Sequence, residues 1–392
     1  MNAFRTPLDR TAFRLPLWLL AGPLLAGPAM ADDPGPSRIE HLEQRVQQLE
    51  AEREQTEAAD EWKRSTSVAH LSGYGAVGYA DEETGDGAFD QVSFNPIFHY
   101  LYDDLLLFEA ELEIAVEEDG ETETALEYAA LNLFANDYVV VGAGKFQSPL
   151  GQFRQNLHPA WINKLPAAPV GFGHDGAAPT AEVGAYLRGG VPVGDLAANY
   201  AVYVGNGPEV LVEAGEIHGI ESEGFTRDVD GDKVWGARLG LLPIPQLEFG
   251  VSGALGQVAL LDDTGALLEQ DRDYQVLGAD FAWQRGLAEL RGEYIIQSLD
   301  DDPASSYPED VEWEAWYVQG AMRIPDTQVE VVARYGEFDS PHADDDQDQV
   351  AAGINYLFAS NVIAKLAYEW NDGDPASPAD HDRVLIQLAY GF

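Results

Sequence analysis

The 392-residue chain contains no cysteine, so neither disulfide bridges nor thiolate metal sites hold it together. Positive charge is scarce: 22 Lys and Arg stand against 68 Asp and Glu, a formal net charge of −46. That excludes a nucleic-acid binder, which must neutralise phosphates with a basic face. No run of eighteen consecutive apolar residues follows the N-terminal region, so no transmembrane helix is expected there. Catalytic signatures are also missing, with no GxSxG elbow, P-loop or HExxH, and the eight His are scattered. The acidity has two readings, a pore that attracts cations or a surface adapted to high salt as in a halophile, and salt adaptation is the larger expected cause.

The N-terminus reads as an export signal over residues 1–31. Arg5, Arg10 and Arg14 precede the apolar run Leu15–Ala26, and Ala29-Met30-Ala31 supplies small residues for cleavage. As a helix that run is too short for about 30 Å of hydrocarbon, and acidic Asp32-Asp33 follows it. An exported chain without a transmembrane helix belongs in the periplasm, the medium or an outer-membrane barrel. Residues 32–65 form a separate segment, in which Ile39, Leu42, Val46 and Leu49 occupy a, d, a and d of a heptad before Arg53 and Thr56 break it. It reads either as a solvated helical linker or as a short periplasmic coiled coil joining subunits, and the second is the expectation carried forward.

From residue 66 the periodicity becomes two. Leu106, Phe108, Ala110, Leu112, Ile114 and Val116 form one apolar face, while Glu109, Glu111, Glu113 and Glu117 mark the other. About eleven such residues is the length of a tilted membrane strand, longer than the usual strand of a soluble sandwich. Val329, Val331, Ala333 and Tyr335 alternate likewise with Glu330 and Arg334, and Val362, Ala364, Leu366 and Tyr368 with Lys365 and Glu369. The pattern predicts sixteen strands at 67–80, 88–101, 105–117, 122–135, 138–146, 181–191, 195–204, 234–242, 246–258, 272–284, 287–299, 313–323, 327–338, 348–358, 361–371 and 382–392.

Their connections alternate in length. Tight turns such as Asn136-Asp137, Pro192–Gly194, Arg285-Gly286 and Ala359-Ser360 interleave with longer polar ones, including Gln147–Thr180, Asn206–Lys233, Ala259–Asp271 and Asp300–Glu312. Short turns at one end and long loops at the other are the arrangement of an all-β transmembrane antiparallel barrel, and an even strand count places both termini on the short-turn side. Val384, Ile386, Leu388, Tyr390 and Phe392 alternate to a terminal aromatic, an ending that resembles the signal read by the barrel assembly machinery. Trp235, Trp313, Trp316 and Trp370 lie near strand ends, as interfacial girdles require.

The stretch Lys145-Phe-Gln-Ser-Pro-Leu-Gly-Gln-Phe-Arg-Gln-Asn-Leu-His-Pro-Ala-Trp161, continuing through Lys164-Leu-Pro-Ala-Ala-Pro169, resembles a segment of porins related to the phosphate-selective porin O/P family. The resemblance implies a trimeric sixteen-stranded outer-membrane porin of a Gram-negative bacterium, set in lipid. Its third long loop, here Gln147–Thr180, would fold inward and constrict the lumen. It further implies passive diffusion of small hydrophilic solutes or ions, phosphate or other anions among them, with no cofactor.

For so acidic a chain the loop region is basic: Lys145, Arg154, His158, Lys164 and His174 accompany only Asp175. Strand phasing turns Arg188, Arg238, Arg291, Arg334, Lys365 and Arg383 inward, facing the carboxylates Glu109, Glu111, Glu113, Glu182 and Glu369. Such charges either select ions by sign or pair with one another. Asp228, Asp230 and Asp232 resemble the start of a calcium loop, but Lys233 follows in place of glycine and no suitably spaced Glu completes it, so a solvated loop is the stronger reading. An adhesin or structural barrel, or a hydrolase drawing on a rim histidine (His158, His174, His218, His342 or His381), remains the alternative.

Overall fold

The computed structural model describes residues 67–392 apart from Glu118, Asp175, Ala214 and Ala343, so the export signal and the heptads lie outside the described residues. Eighteen strands follow in order: β1 Val68–Glu82, β2 Ala88–Tyr102, β3 Leu106–Val116, β4 Thr122–Asn136, β5 Val139–Gln147, β6 Ala181–Val193, β7 Leu196–Gly205, β8 Glu209–Glu213 and β9 Glu216–Glu221. Then come β10 Val234–Ile244, β11 Leu247–Asp262, β12 Leu267–Arg285, β13 Ala288–Leu299, β14 Val311–Arg323, β15 Val329–Asp339, β16 Gln347–Ala359, β17 Val362–Gly373 and β18 Arg383–Gly391.

Sixteen of these close into an antiparallel barrel in which each pairs with its sequence neighbour, β7 passing directly to β10. The last strand returns to the first, with Tyr74 opposite Gly391 and Glu82 opposite Arg383. Closure leaves no unpaired edge, so the ladder satisfies its own backbone groups without water. The terminal residue takes part: Phe392 exchanges backbone bonds with Gly73 at 2.9 and 3.1 Å and stacks on Phe94.

The wall is apolar outside and polar inside. Leu239, Phe249, Val251, Leu255, Leu277, Ile354 and Leu366 are exposed, whereas Asn132, Gln297, Asn355, Glu369 and Gln387 are almost wholly buried. A soluble protein reverses this distribution; a barrel bathed in lipid requires it. The tight turns close with residues at positive φ, namely Asp103 and Asp104, Gly194, Gly286 and Asp326, which is the backbone twist that two-stranded hairpins need.

Two expected loops carry structure. Ala259–Asp271 is mostly strand, because β11 runs to Asp262 and β12 begins at Leu267, with Asp262 Oδ1 accepting from Thr264 and Ala266 N–H to close the turn. Asn206–Lys233 contains the β8–β9 hairpin, whose β8 lies parallel to the projecting end of β11. Alternation missed both because Leu260 and Leu261 are consecutive and both fully buried, against Val210 and its neighbours, so neither face is left polar.

A buried arginine fastens the neighbouring loop. Arg272 bonds Glu269, Ser305 Oγ and the carbonyls of Asp300, Tyr307 and Glu309, at 2.6–3.3 Å. Replacing Arg272 by Ala is expected to loosen residues 300–310 by about 3 kcal/mol, since it strips a buried charge network of its cation. Glu-C protease should then nick this loop while the barrel keeps its heat-modifiable gel mobility; equal resistance in the variant and the parent would refute the tether.

Candidate functional site

Between β5 and β6 the chain leaves the wall for more than thirty residues, and its path is fixed by what it touches. Gly151 has φ +78, and a Cβ there would sit 1.6 Å from a Glu293 carboxylate oxygen, so only glycine allows this approach. The Glu293 carboxylate accepts the N–H groups of Gln152 and Phe153 at 3.1 and 3.0 Å, and Gln152 Nε2 donates to Asp280 at 2.7 Å. A π-helical turn, Phe153–Leu157, follows, and Phe153 packs with Phe172 and Tyr317 in the barrel interior.

The next stretch is irregular, made of turns and bends and rich in proline, so most of its carbonyl oxygens have no partners in a helix or ladder. Buried carbonyls need donors, and the wall provides them. Lys365 Nζ donates to the carbonyls of Ala160 and Leu165 at 2.5 and 3.3 Å. Asn355 Nδ2 donates to that of Lys164 at 2.9 Å, and Gln387 Nε2 to that of Pro166 at 3.4 Å. Arg334 holds the carbonyls of Ala167 and Ala168 at 3.1 and 2.9 Å. These donors come from β15, β16, β17 and β18, on the face opposite the exposed apolar residues. Gln147–Thr180 therefore crosses the lumen, as expected from the sequence.

Most of the inward charges are occupied. Arg238 bridges Asp280 at 2.6 Å and Glu248 at 3.0 Å, Arg291 bonds Glu289 at 2.6 Å, and Lys164 bonds Glu330 at 3.0 Å. Glu369 accepts from Arg383 at 2.6 Å and lies 3.5 Å from Arg334. Arg154 is buried in the loop; burial lowers its pKa, against the pull of Glu127, Glu223 and Glu113. His174 meets Glu223 at 2.6 Å, a hydrogen bond that raises the histidine and lowers the carboxylate, with Lys145 also acting on Glu223. Glu182 stands apart from the other carboxylates, packed in the wall against Tyr203 and Gly207.

A cavity of about 260 Å³ remains between the loop and the β2–β7 wall, lined in part by Glu109, Glu111, Tyr128, Gln155, His158 and Arg188. Glu111 accepts from Tyr74 Oη at 2.8 Å, with His158 3.9 Å away. Arg188 is the most open of the phased cations named above, its side chain 44 % exposed, 3.9 Å from Glu109 and stacked over Tyr186. Of the residues named from the sequence, Glu109, Glu111, His158 and Arg188 line this cavity, while the anchors Glu293, Asp280, Asn355 and Gln387 were not named. All four sit at alternating inward positions, the one signal that could have found them. The Asp228–Asp232 tip closes on itself: Asp228 accepts from Gly231 N–H at 2.8 Å and from Lys233, and Asp230 accepts from Asp232 N–H.

Replacing Lys365 by Met leaves two loop carbonyls without a donor. A loss of about 1–3 kcal/mol in loop docking is expected, read as a lower thermal midpoint and noisier current in a planar bilayer. A variant as quiet and as stable as the parent would show that the anchor is dispensable.

Residues 258–392 match the family described as phosphate-selective porin O and P. That match covers only the end of β11, from residue 258, and all of β12–β18, not the loop stretch on which the sequence resemblance rests. No curated protein sequence matches the chain. Among solved structures, the anion-selective porin from Comamonas acidovorans is 15% identical, with a TM-score of 0.55, covering 83% of this chain and 100% of that one. The outer-membrane channel DcaP of Acinetobacter baumannii is 12% identical, with a TM-score of 0.56 and coverage of 83% and 97%. The trimer form of OmpT from Vibrio cholerae is 14% identical, with a TM-score of 0.53 and coverage of 83% and 99%. At these identities the likeness is one of fold. The chain has the sixteen-stranded porin fold, and residues 258–392 carry the pattern of the phosphate-selective porin O and P family.

Proposed function

We propose that this protein is a passive diffusion porin of the Gram-negative outer membrane, admitting small hydrophilic solutes and ions through a lumen narrowed by Gln147–Thr180. The observation that carries this reading is the loop held across the bore by side chains of six wall strands, beside a polar cavity. A wall alone needs no such internal crossing. An irregular loop pinned at intervals sets a fixed aperture, which is what size-limited diffusion requires.

In this reading the phased basic residues divide into two groups. Arg334 and Lys365 hold the loop, and their charge is spent on its carbonyls and on Glu369 and Gln387. Arg188, with Glu109 opposite, faces the open cavity and sets the local field. Anion passage fits the family pattern and the exposed guanidinium; the surrounding carboxylates keep the preference modest. Assembly as a homotrimer, as for the trimeric OmpT form, and insertion by the barrel assembly machinery through Phe392 complete the proposal.

Single-channel recording in a planar bilayer tests it. Stepwise conductance is expected, with larger steps after excision of residues 155–165. Arg188→Ala should move the reversal potential in a salt gradient toward cations. A silent barrel, or one that cleaves peptide or lipid, would overturn the porin reading; an unmoved reversal potential would remove Arg188 from the selective region.

A further inference from the structure

We propose that Glu113, Glu127 and His174 bind one zinc-class divalent metal ion, fastening the returning half of the lumen loop to the β3–β4 wall. Their donor atoms lie within 4.8 Å of one another. Donors around a tetrahedral zinc ion sit roughly 3.4 Å apart, so small side-chain movements complete the geometry. Glu113 stands three residues before the end of β3 and Glu127 lies on β4, which places the cluster toward the long-loop end of the bore.

Three further features fit a metal there. Glu223 bonds His174 Nδ1 at 2.6 Å, leaving Nε2 as the free ring nitrogen; a carboxylate behind a histidine is the usual way of orienting a metal ligand. The Glu113 and Glu127 carboxyl groups touch each other, an arrangement of like charges that a cation relieves. Asn95 supplies the independent sign. Its side chain is 1% exposed and bonds Glu113, yet its Oδ1 is buried without a donor. A water on the metal's fourth position would donate to that oxygen.

The ligand set selects the ion class. One imidazole and two carboxylates suit zinc and its first-row neighbours, whereas calcium prefers six to eight oxygens. Arg154 lies beside the cluster, its Nε and Nη2 unpartnered by hydrogen bonds, but Glu113, Glu127 and Glu223 outnumber it. Bound metal would tie together the wall, the loop and the connection that carries Glu223.

Binding is independent of whether the barrel conducts, so it is measured directly. The full chain, refolded in detergent and stripped with EDTA, is titrated with zinc chloride by calorimetry. One ion per chain is expected, not displaced by a tenfold excess of calcium. His174→Ala and Glu127→Gln should each weaken binding at least tenfold, and Glu223→Gln by roughly tenfold at unchanged stoichiometry. Heat-modifiable gel mobility identifies folded variants, and Glu127→Gln, nearly isosteric, carries the test if His174→Ala fails to fold. Equal zinc binding by the parent and a folded variant would overturn the site and point to another place, such as the adjacent His218–His342 pair. Uptake by many weak sites that calcium competes away would overturn it equally.

Discussion

The interior depends on how the backbone of one irregular segment is satisfied. Residues 160–168 run through the barrel without helix or ladder, and their carbonyl oxygens accept from Lys365, Asn355, Gln387 and Arg334. Without these donors the segment would carry a row of unpaired acceptors away from bulk water, at about 1–3 kcal/mol each. Proline at 166 and 169 removes two N–H groups and disfavours local helix, so the segment satisfies itself only in part, through Asn163 Nδ2 donating to the Ala167 carbonyl at 3.0 Å. The wall's polar inner face is thus a template for one loop path as much as a lining.

This changes the meaning of the inward charges. A buried cation on a barrel wall looks like a selectivity element when only its strand is considered. Arg334 and Lys365 instead donate to backbone oxygens, and Arg238 is divided between Asp280 and Glu248. Burial without such partners would be costly. Arg188, half exposed and 3.9 Å from Glu109, is the least buried of these cations.

The sixteen barrel strands were legible in the sequence because a wall with lipid on one side and polar matter on the other imposes period two on every strand. The turns were legible because Asp, Asn and Gly mark their tight ends. The lumen loop was legible from its length and its basic residues. The β8–β9 hairpin and the rise of β11 were not, since Leu260 and Leu261 are buried on both faces and lose the alternation. Nor were the partners: Lys365 is 205 residues from Ala160, and no local pattern records such a pairing. Glu113, Glu127 and His174 come together only once the loop has folded back, so their grouping exists in space alone.

The anchors of the lumen loop also fix a sequence of events. Residues 148–180 are made early, yet most of the groups that hold them lie on β12, β13 and the last four strands. Contacts of such separation form slowly, because the intervening chain must first be ordered. Until β15–β18 are in place, the loop has no seat and the bore has no waist. The final strand, which seals the cylinder against β1, also carries Gln387. Sealing the cylinder and seating the loop are steps of one late maturation, and a half-assembled barrel would be wider inside than the finished one.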